Sequence, residues 1–290
     1  MAKRSWRNLD PGDNGYPPLL REVRQPPSLH VAGELPVTAE MVAMVGSRRC
    51  SVYGEDLAYA MAGELAAAGL VIVSGLALGI DGAAHRGALD AGGLTVAVMG
   101  TGPDTIYPYQ HRDLAARIAG QGALVTQFPD GTAPLPGNFP TRNAVISGMS
   151  LAVVVVEAAL KSGAMLTAGS AAEQDRLVMA VPGSVYSPGS RGCHELIRDS
   201  ASLVTCADDI LDELKKDTGR TGRLPTLEWV AFGDTRDRVL ETLAAGGLTL
   251  DQLQRALEVD PSEVAVAVSN LRIDGLVAMR RGLVEARRRT

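Results

Sequence analysis

The chain has 290 residues, a hydrophobic content of 46% and a formal net charge of −5 at pH 7. This length allows one large core and a small second domain. The acidic balance excludes the coating of nucleic acid by bulk charge, so a nucleic-acid contact would have to come from local basic clusters. The apolar run at 151–156 is too short to span a bilayer, and the start MAKRSWRNLD has no signal-peptide core. We therefore expect a globular, cytoplasmic protein with no membrane partner.

The potential metal ligands are scattered along the chain. Three cysteines at irregular spacing fit neither a disulfide framework nor a zinc site, and the four histidines have no carboxylate or thiol at ligand spacing. These residues are Cys50, Cys193, Cys206, His30, His85, His111 and His194. His85 follows Asp81 by four residues, and structural hydrogen bonding is the favoured interpretation of that pair. We expect no metal and no cofactor.

Residues 1–40 are rich in proline and glycine, which predicts an extended segment lying against the rest of the protein. From residue 41 to 214, short β-branched runs alternate with helical patterns. The predicted strands are VAMV, LVIV, LTVAV, GALVT, LAVVVV and LVMAV. Such alternation is typical of the α/β class, with a mainly parallel sheet covered by helices on both faces.

A charged segment without period at 215–233 is predicted to be a linker, and residues 234–290 form a second domain. Three short helical patterns precede a turn at Arg281-Gly282, which suggests a winged helix-turn-helix. The third helix, starting at Asp260 and Pro261, has one cation, Arg272. We therefore expect a protein-contact or auxiliary DNA role for this domain, with Arg280 and Arg281 as the phosphate contacts.

Two strands end in glycine turns that are predicted to line one crevice at the carboxyl edge of the sheet. The first turn, Gly46-Ser47-Arg48, combines a flexible backbone, a hydroxyl and a guanidinium that can grip a phosphate. The second turn contains Ser74, Gly75 and Gly79. Helices follow both turns and add the positive ends of their dipoles. Helix packing without a ligand is the alternative interpretation.

Two further segments offer binding groups. Ser162 and Gly163 stand before a helix, with Lys161 beside them and Thr167 one turn in, so this turn is an anion site or simply a helix cap. In the segment PGNFPTRNAVISG, Phe139 can stack on a base or on the core. Arg142 and Asn143 in the same segment can reach a nucleic-acid backbone or a base edge.

The motifs together resemble the DNA-processing protein A family, also called DprA or Smf. The likeness covers residues 16–210 and is carried by VGSR, SVYG, SGLALGIDGAAHRGAL, TVAVMGTGPDTIYP, NFPTRN, VVEAALKSGAMLTA and VPG. The resemblance implies an extended Rossmann-like domain with a winged helix, and a homodimer that binds single-stranded DNA without a cofactor. It also implies protection of incoming DNA and loading of RecA recombinase in natural transformation.

By this resemblance the family's phosphate-gripping arginine corresponds to Arg48. The other expected DNA-binding residues are Gly46, Ser47, Ser74, Gly75, Gly79, Phe139, Arg142, Asn143, Lys161, Ser162, Gly163 and Thr167. The family commonly has a second arginine where this chain has Ala144, and a basic residue where it has Leu135-Pro136-Gly137. We therefore expect weaker binding and a shallower salt dependence than in a more basic relative.

Two other functions compete with this one. A Rossmann-like protein could bind a nucleotide as a sensor, or it could hydrolyse a nucleoside monophosphate with a pair of acids. Asp81 and Glu157 are the candidate acids, but Glu157 ends a buried strand pattern and Asp81 is placed to brace a helix. The chain also lacks the motif PGGxGTxxE, which is used by related Rossmann-like proteins that hydrolyse nucleoside monophosphates. It has neither a nucleophile elbow nor a P-loop. We therefore expect a binding protein rather than an enzyme.

Overall fold

The computed structural model describes residues 6–218, 238–240, 242–243, 248–257, 259, 263–264, 266–268, 271, 276–280 and 283–286. The chain divides into two compact units, residues 1–226 and residues 227–290. Among the described residues, no helix is long and apolar enough to cross a membrane.

The first unit is built on one nine-stranded sheet. The strands are β1 Trp6–Leu9, β2 Leu29–Gly33, β3 Met41–Val45, β4 Val71–Ser74, β5 Thr95–Val98, β6 Ala123–Thr126, β7 Ala152–Val155, β8 Leu177–Ala180 and β9 Ser202–Leu203. Their order across the sheet is β1-β2-β6-β5-β4-β3-β7-β8-β9. The last seven strands in this order pair in parallel, while β1 and β2 are antiparallel to their neighbours. All six predicted strands are confirmed, as β3 to β8.

Helices cover both faces of this sheet. They are α1 Pro18–Arg21, α2 Val52–Ala67, α3 Ile80–Asp90, α4 Arg112–Gln121, α5 Asn138–Gly148, α6 Gly163–Glu173, α7 Arg191–Arg198 and α8 Ala207–Thr218, with 3-10 turns at Tyr109–His111 and Pro188–Ser190. Alternate residues of β3 enter opposite cores: Ala43 packs into one, and Val42 and Met44 pack into the other. Burial on both faces explains why the central strands are uniformly apolar.

The first helix after β3 has the packing that its sequence predicts. Met61 and Leu65 are fully buried and Leu57 is partly buried, so the spacing of four places them on the face toward the sheet. Ser51 caps α2, because its hydroxyl accepts a hydrogen bond from the Gly54 amide at 3.1 Å.

The amino-terminal segment differs from the prediction. Residues 1–40 contribute β1, α1 and β2, and β2 pairs with β6 through the register His30↔Thr126. Leu29 and Val31 are fully buried in this strand. Prolines around β2 dominate the composition of the segment, so the alternating pattern of the strand is not evident in the sequence. The strand forms because the edge of β6 is available for pairing.

The described part of the second unit contains α9 Leu250–Leu257, β10 Val277–Arg280 and β11 Leu283–Ala286. The two strands form an antiparallel hairpin, and Leu248 adds a bridge to Val284. Thr249 and Gln252 cap α9 reciprocally at 2.9 and 3.2 Å. Of the earlier expectations, Asp260, Pro261, Arg272 and Arg281 lie outside the described residues, as does most of the predicted linker. Helix α8 extends to Thr218, beyond the expected domain end at 214.

Candidate functional site

The first glycine turn is clamped between two neighbouring elements. The Ser47 amide donates to the carbonyl of Glu157 at 2.7 Å, and the Ser47 carbonyl accepts from the Ile80 amide at 3.2 Å. A β-carbon on Gly46 would lie 2.6 Å from Ile80 Cγ1, and one on Gly79 would collide with the Ser47 carbonyl. Gly79 also has a φ of +76°, which favours glycine. These two glycines therefore allow the ends of β3, β4 and β7 to meet.

Arg48 projects from this turn over the ring of Phe139. The guanidinium carbon lies 4.8 Å from the ring centroid, and the Arg48 side chain is exposed. Among the residues that the structure describes, no acceptor or carboxylate pairs with this guanidinium. Phe139 in turn rests on Gly100, where a β-carbon would be 3.0 Å from ring atom Cδ1. The result is a cation held against an aromatic face with its hydrogen-bond donors available.

Arg142 lies beneath this pair and is almost fully buried, with 3% of its surface exposed. Its Nη1 donates to the carbonyl of Val98 at 2.9 Å, and its Nε has no partner. The pKa of Arg142 is lowered to about 10, mainly by burial, with Asp81 opposing the shift and the nearby Arg48 adding to it. The guanidinium therefore remains charged at neutral pH and offers an unused donor.

Asp81 completes the charged floor. It is 6% exposed, and its Oδ2 accepts hydrogen bonds from the amides of Gly75 at 3.1 Å and Ala77 at 3.3 Å. Burial raises the pKa of Asp81, while Arg142 and Arg48 act in the opposite direction. The carboxylate thus has a structural role, but it braces the loop after β4 rather than the helix that follows.

The third turn lies at the start of α6. Ser162 has extended backbone angles at the N-cap, but its hydroxyl makes no capping bond, and its Oγ is buried without a partner. Asn143 donates from Nδ2 to the carbonyl of Gly163 at 3.1 Å, and Thr167 donates to the same oxygen at 3.2 Å. The helix thus presents a positive end and an unused hydroxyl, which are features of an anion site.

These turns enclose a pocket of about 360 Å³. Its charged lining residues are Arg48, Arg142 and Asp81, which leave one net positive charge when all three are ionised. Its apolar lining includes Val45, Ile146 and Leu166. A single net charge beside apolar walls suits a monoanion with an apolar or aromatic part better than a free inorganic dianion.

The structure brings together most of the predicted site residues. Nine of them line the pocket: Gly46, Ser47, Arg48, Phe139, Arg142, Asn143, Ser162, Gly163 and Thr167.

The other four predicted residues lie elsewhere. Ser74 is fully buried and donates to the carbonyl of Met44 at 2.6 Å, so its hydroxyl holds two strands together. Gly75 lies against Arg142, Gly79 packs on the first turn, and Lys161 is exposed outside the lining. Burial and pocket membership depend on the folded packing, which a local motif does not specify.

Tyr107 is not among the predicted site residues, yet its ring centroid is 6.1 Å from that of Phe139, with an angle of 49° between the ring planes. Tyr107 lies in the motif TVAVMGTGPDTIYP. The sequence signal for a site residue there is an aromatic side chain in a loop that follows a buried strand. Ala77, Pro140, Ala159 and Ala164 also line the pocket, and nothing in their residue types distinguishes them in the sequence.

The histidines take structural roles in the described part of the chain. His85 bonds through Nδ1 to Thr95 Oγ1 at 2.7 Å rather than to Asp81, and burial lowers its pKa to about 3. His111 bonds to the carbonyl of Leu76 at 2.9 Å, and His194 to that of Gly183 at 3.0 Å. Within the described residues, no group of three or more histidine, cysteine, aspartate or glutamate side chains could hold a metal ion.

The fold and the pocket define an α/β protein of Rossmann-like architecture with an arginine-lined crevice at the carboxyl ends of its parallel strands. The chain belongs to the DNA recombination-mediator protein A family, whose model matches residues 7–215. This match confirms the resemblance seen in the motifs.

Individual relatives agree with the family match. The chain is 48% identical to the protein Smf of Escherichia coli over 212 residues, covering 72% of this chain and 57% of the relative. It therefore spans little more than half the length of that relative. It is 41% identical to the DNA processing protein DprA of Streptococcus pneumoniae over 209 residues, covering 70% of this chain and 72% of the relative.

Two solved structures share the fold. The X-ray structure of Streptococcus pneumoniae DNA processing protein A has a TM-score of 0.70 and 40% identity, covering 73% of this chain and 75% of that one. DNA processing protein A from Helicobacter pylori, described for its single-stranded DNA binding mode, has a TM-score of 0.66 and 28% identity. The match covers 74% of this chain and 97% of the Helicobacter chain.

Proposed function

We propose that this protein binds single-stranded DNA in the pocket between the three turns and acts in DNA processing for recombination. The observation that carries the proposal is the Arg48 guanidinium, held 4.8 Å above Phe139 at the pocket and not bound by a carboxylate in an ion pair within the described part of the chain. A phosphodiester would supply an anion, and the partly exposed Phe139 ring beside the guanidinium is the aromatic contact that we propose for a base.

The charges of the pocket favour a strand over a free phosphate ion. An internal phosphodiester carries one negative charge, which matches the single net positive charge of Arg48, Arg142 and Asp81. Unpaired bases expose their faces, whereas a duplex hides them in its stack. The single-stranded DNA binding described for the Helicobacter pylori relative is consistent with this choice.

The test is a fluorescence-anisotropy titration of a labelled single strand of a few tens of nucleotides at two salt concentrations. Arg48→Ala should weaken binding at least about tenfold and reduce the magnitude of the log–log salt slope by about 0.7, the value for one lost phosphate contact on a single strand. The reason is the loss of a charge-assisted contact together with the cation that packs on Phe139.

Arg117→Ala is the matched control, because it removes the same charge from an exposed side chain. Arg117 pairs with Asp90 at the end of α3, and neither residue lines the pocket. Its variant should bind like the wild type. Equal losses of DNA affinity in the two variants would show that binding depends only on the net charge of the protein and would contradict a contact at Arg48. Absence of salt-sensitive binding by the wild type would refute the proposal.

A hydrolytic function is less well supported, because both candidate acids are engaged. Asp81 accepts two backbone amides in the floor of the pocket. The Glu157 carboxylate accepts from the Ser51 amide and from the Ser51 hydroxyl at 2.6 Å, so it anchors the start of α2. Hydrogen bonds from protein donors lower the basicity of both carboxylates, which makes each of them a poorer general base. A screen for free base released from mononucleotides would test this conclusion.

We further propose that the protein forms a homodimer, protects incoming DNA and helps load RecA recombinase. Family membership supports these steps. The second unit is proposed to be a winged helix, which is supported by the hairpin of β10 and β11 and by an apolar core that joins Leu253, Val264 and Val284. Light scattering that detects only monomer at working concentration would remove the dimer.

A further inference from the structure

The aromatic surface at the pocket continues beyond Phe139. Tyr107 is 44% exposed, and the centroid of its ring lies 6.1 Å from that of the Phe139 ring. Phe139 lines the pocket and Tyr107 does not, so the Tyr107 ring lies outside the pocket beside Phe139. Arg48, Phe139 and Tyr107 therefore form a connected row of one cation and two rings. Covering an exposed aromatic ring with a base removes apolar surface from water, so a ring beside the pocket can add affinity.

Tyr107 stands on a loop that is held on both sides. Within the loop, the Thr101 hydroxyl donates to the carbonyl of Thr105 at 2.6 Å. Across to the next loop, the Gly102 amide donates to the carbonyl of Thr132 at 3.0 Å, and the Gly131 amide donates to Asp104 at 2.9 Å. These bonds fix the backbone that carries Tyr107, so ordering its ring on a ligand costs little conformational entropy.

The charges around Tyr107 define what it can bind. Asp104 and Asp130 are exposed in the same pair of loops, which makes this area unfavourable for a phosphate. A ring in such a place contributes by stacking on a base while the phosphates remain on the side of Arg48. The ring spacing of 6.1 Å exceeds the rise of about 3.4 Å between stacked bases, so a strand crossing both rings must be extended and unstacked.

We propose that Tyr107 is a second base-stacking platform, which carries a single strand out of the pocket and past Phe139. This inference rests on the proposed function and assigns a path to the bound strand. It predicts a neutral contact that adds affinity to longer strands and leaves the salt dependence unchanged.

Tyr107→Ala should weaken binding of a strand of a few tens of nucleotides at least about fivefold, the lower bound for loss of one base–aromatic stack. Its salt slope should equal that of the wild type, because no phosphate contact is lost. Tyr107→Phe keeps the ring and should bind like the wild type. The matched control is Tyr59→Ala, because Tyr59 is 42% exposed and bonds to Asp90 away from the pocket.

A second measurement uses strands that carry 5-iododeoxyuridine, which crosslinks to stacked aromatic side chains under ultraviolet light. Mass spectrometry should locate adducts on Tyr107 as well as on Phe139. Unchanged affinity of Tyr107→Ala with no adduct on Tyr107 would overturn the inference, while loss of binding in Arg48→Ala would leave the proposed function standing. Absence of wild-type binding would instead refute the proposed function and this inference together.

Discussion

Asn143 donates from Nδ2 to the carbonyl oxygen of Gly163 at 3.1 Å, and this bond ties α5 to the first turn of α6. Asn143 is 7% exposed, so its amide is positioned by packing rather than by solvent. Because α5 also carries Phe139 and Arg142, the bond sets these two side chains opposite the amino-terminal end of α6. The arrangement of α5 and α6 around the pocket thus depends on the hydrogen bond of an uncharged side chain.

Ser162→Ala should separate binding from stability. The Ser162 Oγ is buried without a partner and makes no capping bond, so its removal should leave the free energy of unfolding within about 0.5 kcal/mol of the wild type or raise it slightly. Binding of single-stranded DNA should weaken severalfold, because the hydroxyl is then unavailable to a phosphate. Urea unfolding and anisotropy check the two parts, and a clear loss of stability would show that the hydroxyl has a structural partner.

Gly75→Ala should damage both the fold and the site. An added β-carbon would collide with the Arg142 guanidinium and would lie 2.7 Å from Asp81 Oδ2. Arg142 is buried and bonded to the carbonyl of Val98, so it cannot move away freely. We expect a loss of about 1–3 kcal/mol in the free energy of unfolding, measured by urea denaturation, together with weaker DNA binding.

Gly169→Ala is the control for that substitution. Gly169 lies inside α6, and a β-carbon there would meet nothing within 4 Å. Alanine should stabilise the protein by about 0.5–1 kcal/mol through helix propensity and leave DNA binding unchanged. Equal stability of the two alanine variants would contradict the packing described around Gly75.

His85 should make the fold sensitive to mild acid. Burial first, and then the nearby His111, Arg142 and Arg86, lower the pKa of His85 to about 3 from its ordinary value of 6.5. The neutral ring is therefore favoured in the folded state, and its contribution is complete above pH 6.5 and is lost as the pH falls from 6.5 toward 3. Between pH 7 and pH 5 this loss amounts to about 2 kcal/mol.

The measurement for His85 is urea unfolding at pH 7 and pH 5 for the wild type and for His85→Asn. Asparagine can still donate to Thr95, which accepts from His85 and donates to the carbonyl of Ile72 at 2.7 Å. The variant should be less stable at pH 7 but should lose about 2 kcal/mol less on acidification. An identical pH dependence in the two proteins would show that His85 does not titrate in this range.

The sequence by itself determined the α/β class and the six central strands. A strand in the centre of a sheet has both faces buried and therefore needs apolar residues at consecutive positions. The mostly β-branched run at residues 151–156 meets this requirement. It also determined that Gly46 and Gly163 stand where strands turn into helices, since turn chemistry is local. Nine of the thirteen residues that the resemblance selects lie around one pocket.

Only the tertiary structure decided which side chains meet. The contact of Arg48 with Phe139 and the place of Tyr107 next to that ring join residues far apart in the chain. The same holds for Ser74, whose hydroxyl belongs to a strand pair, and for β2, which needs the edge of β6 before it can form. Turns and strands follow from short-range preferences, whereas contacts between distant side chains depend on how whole elements pack.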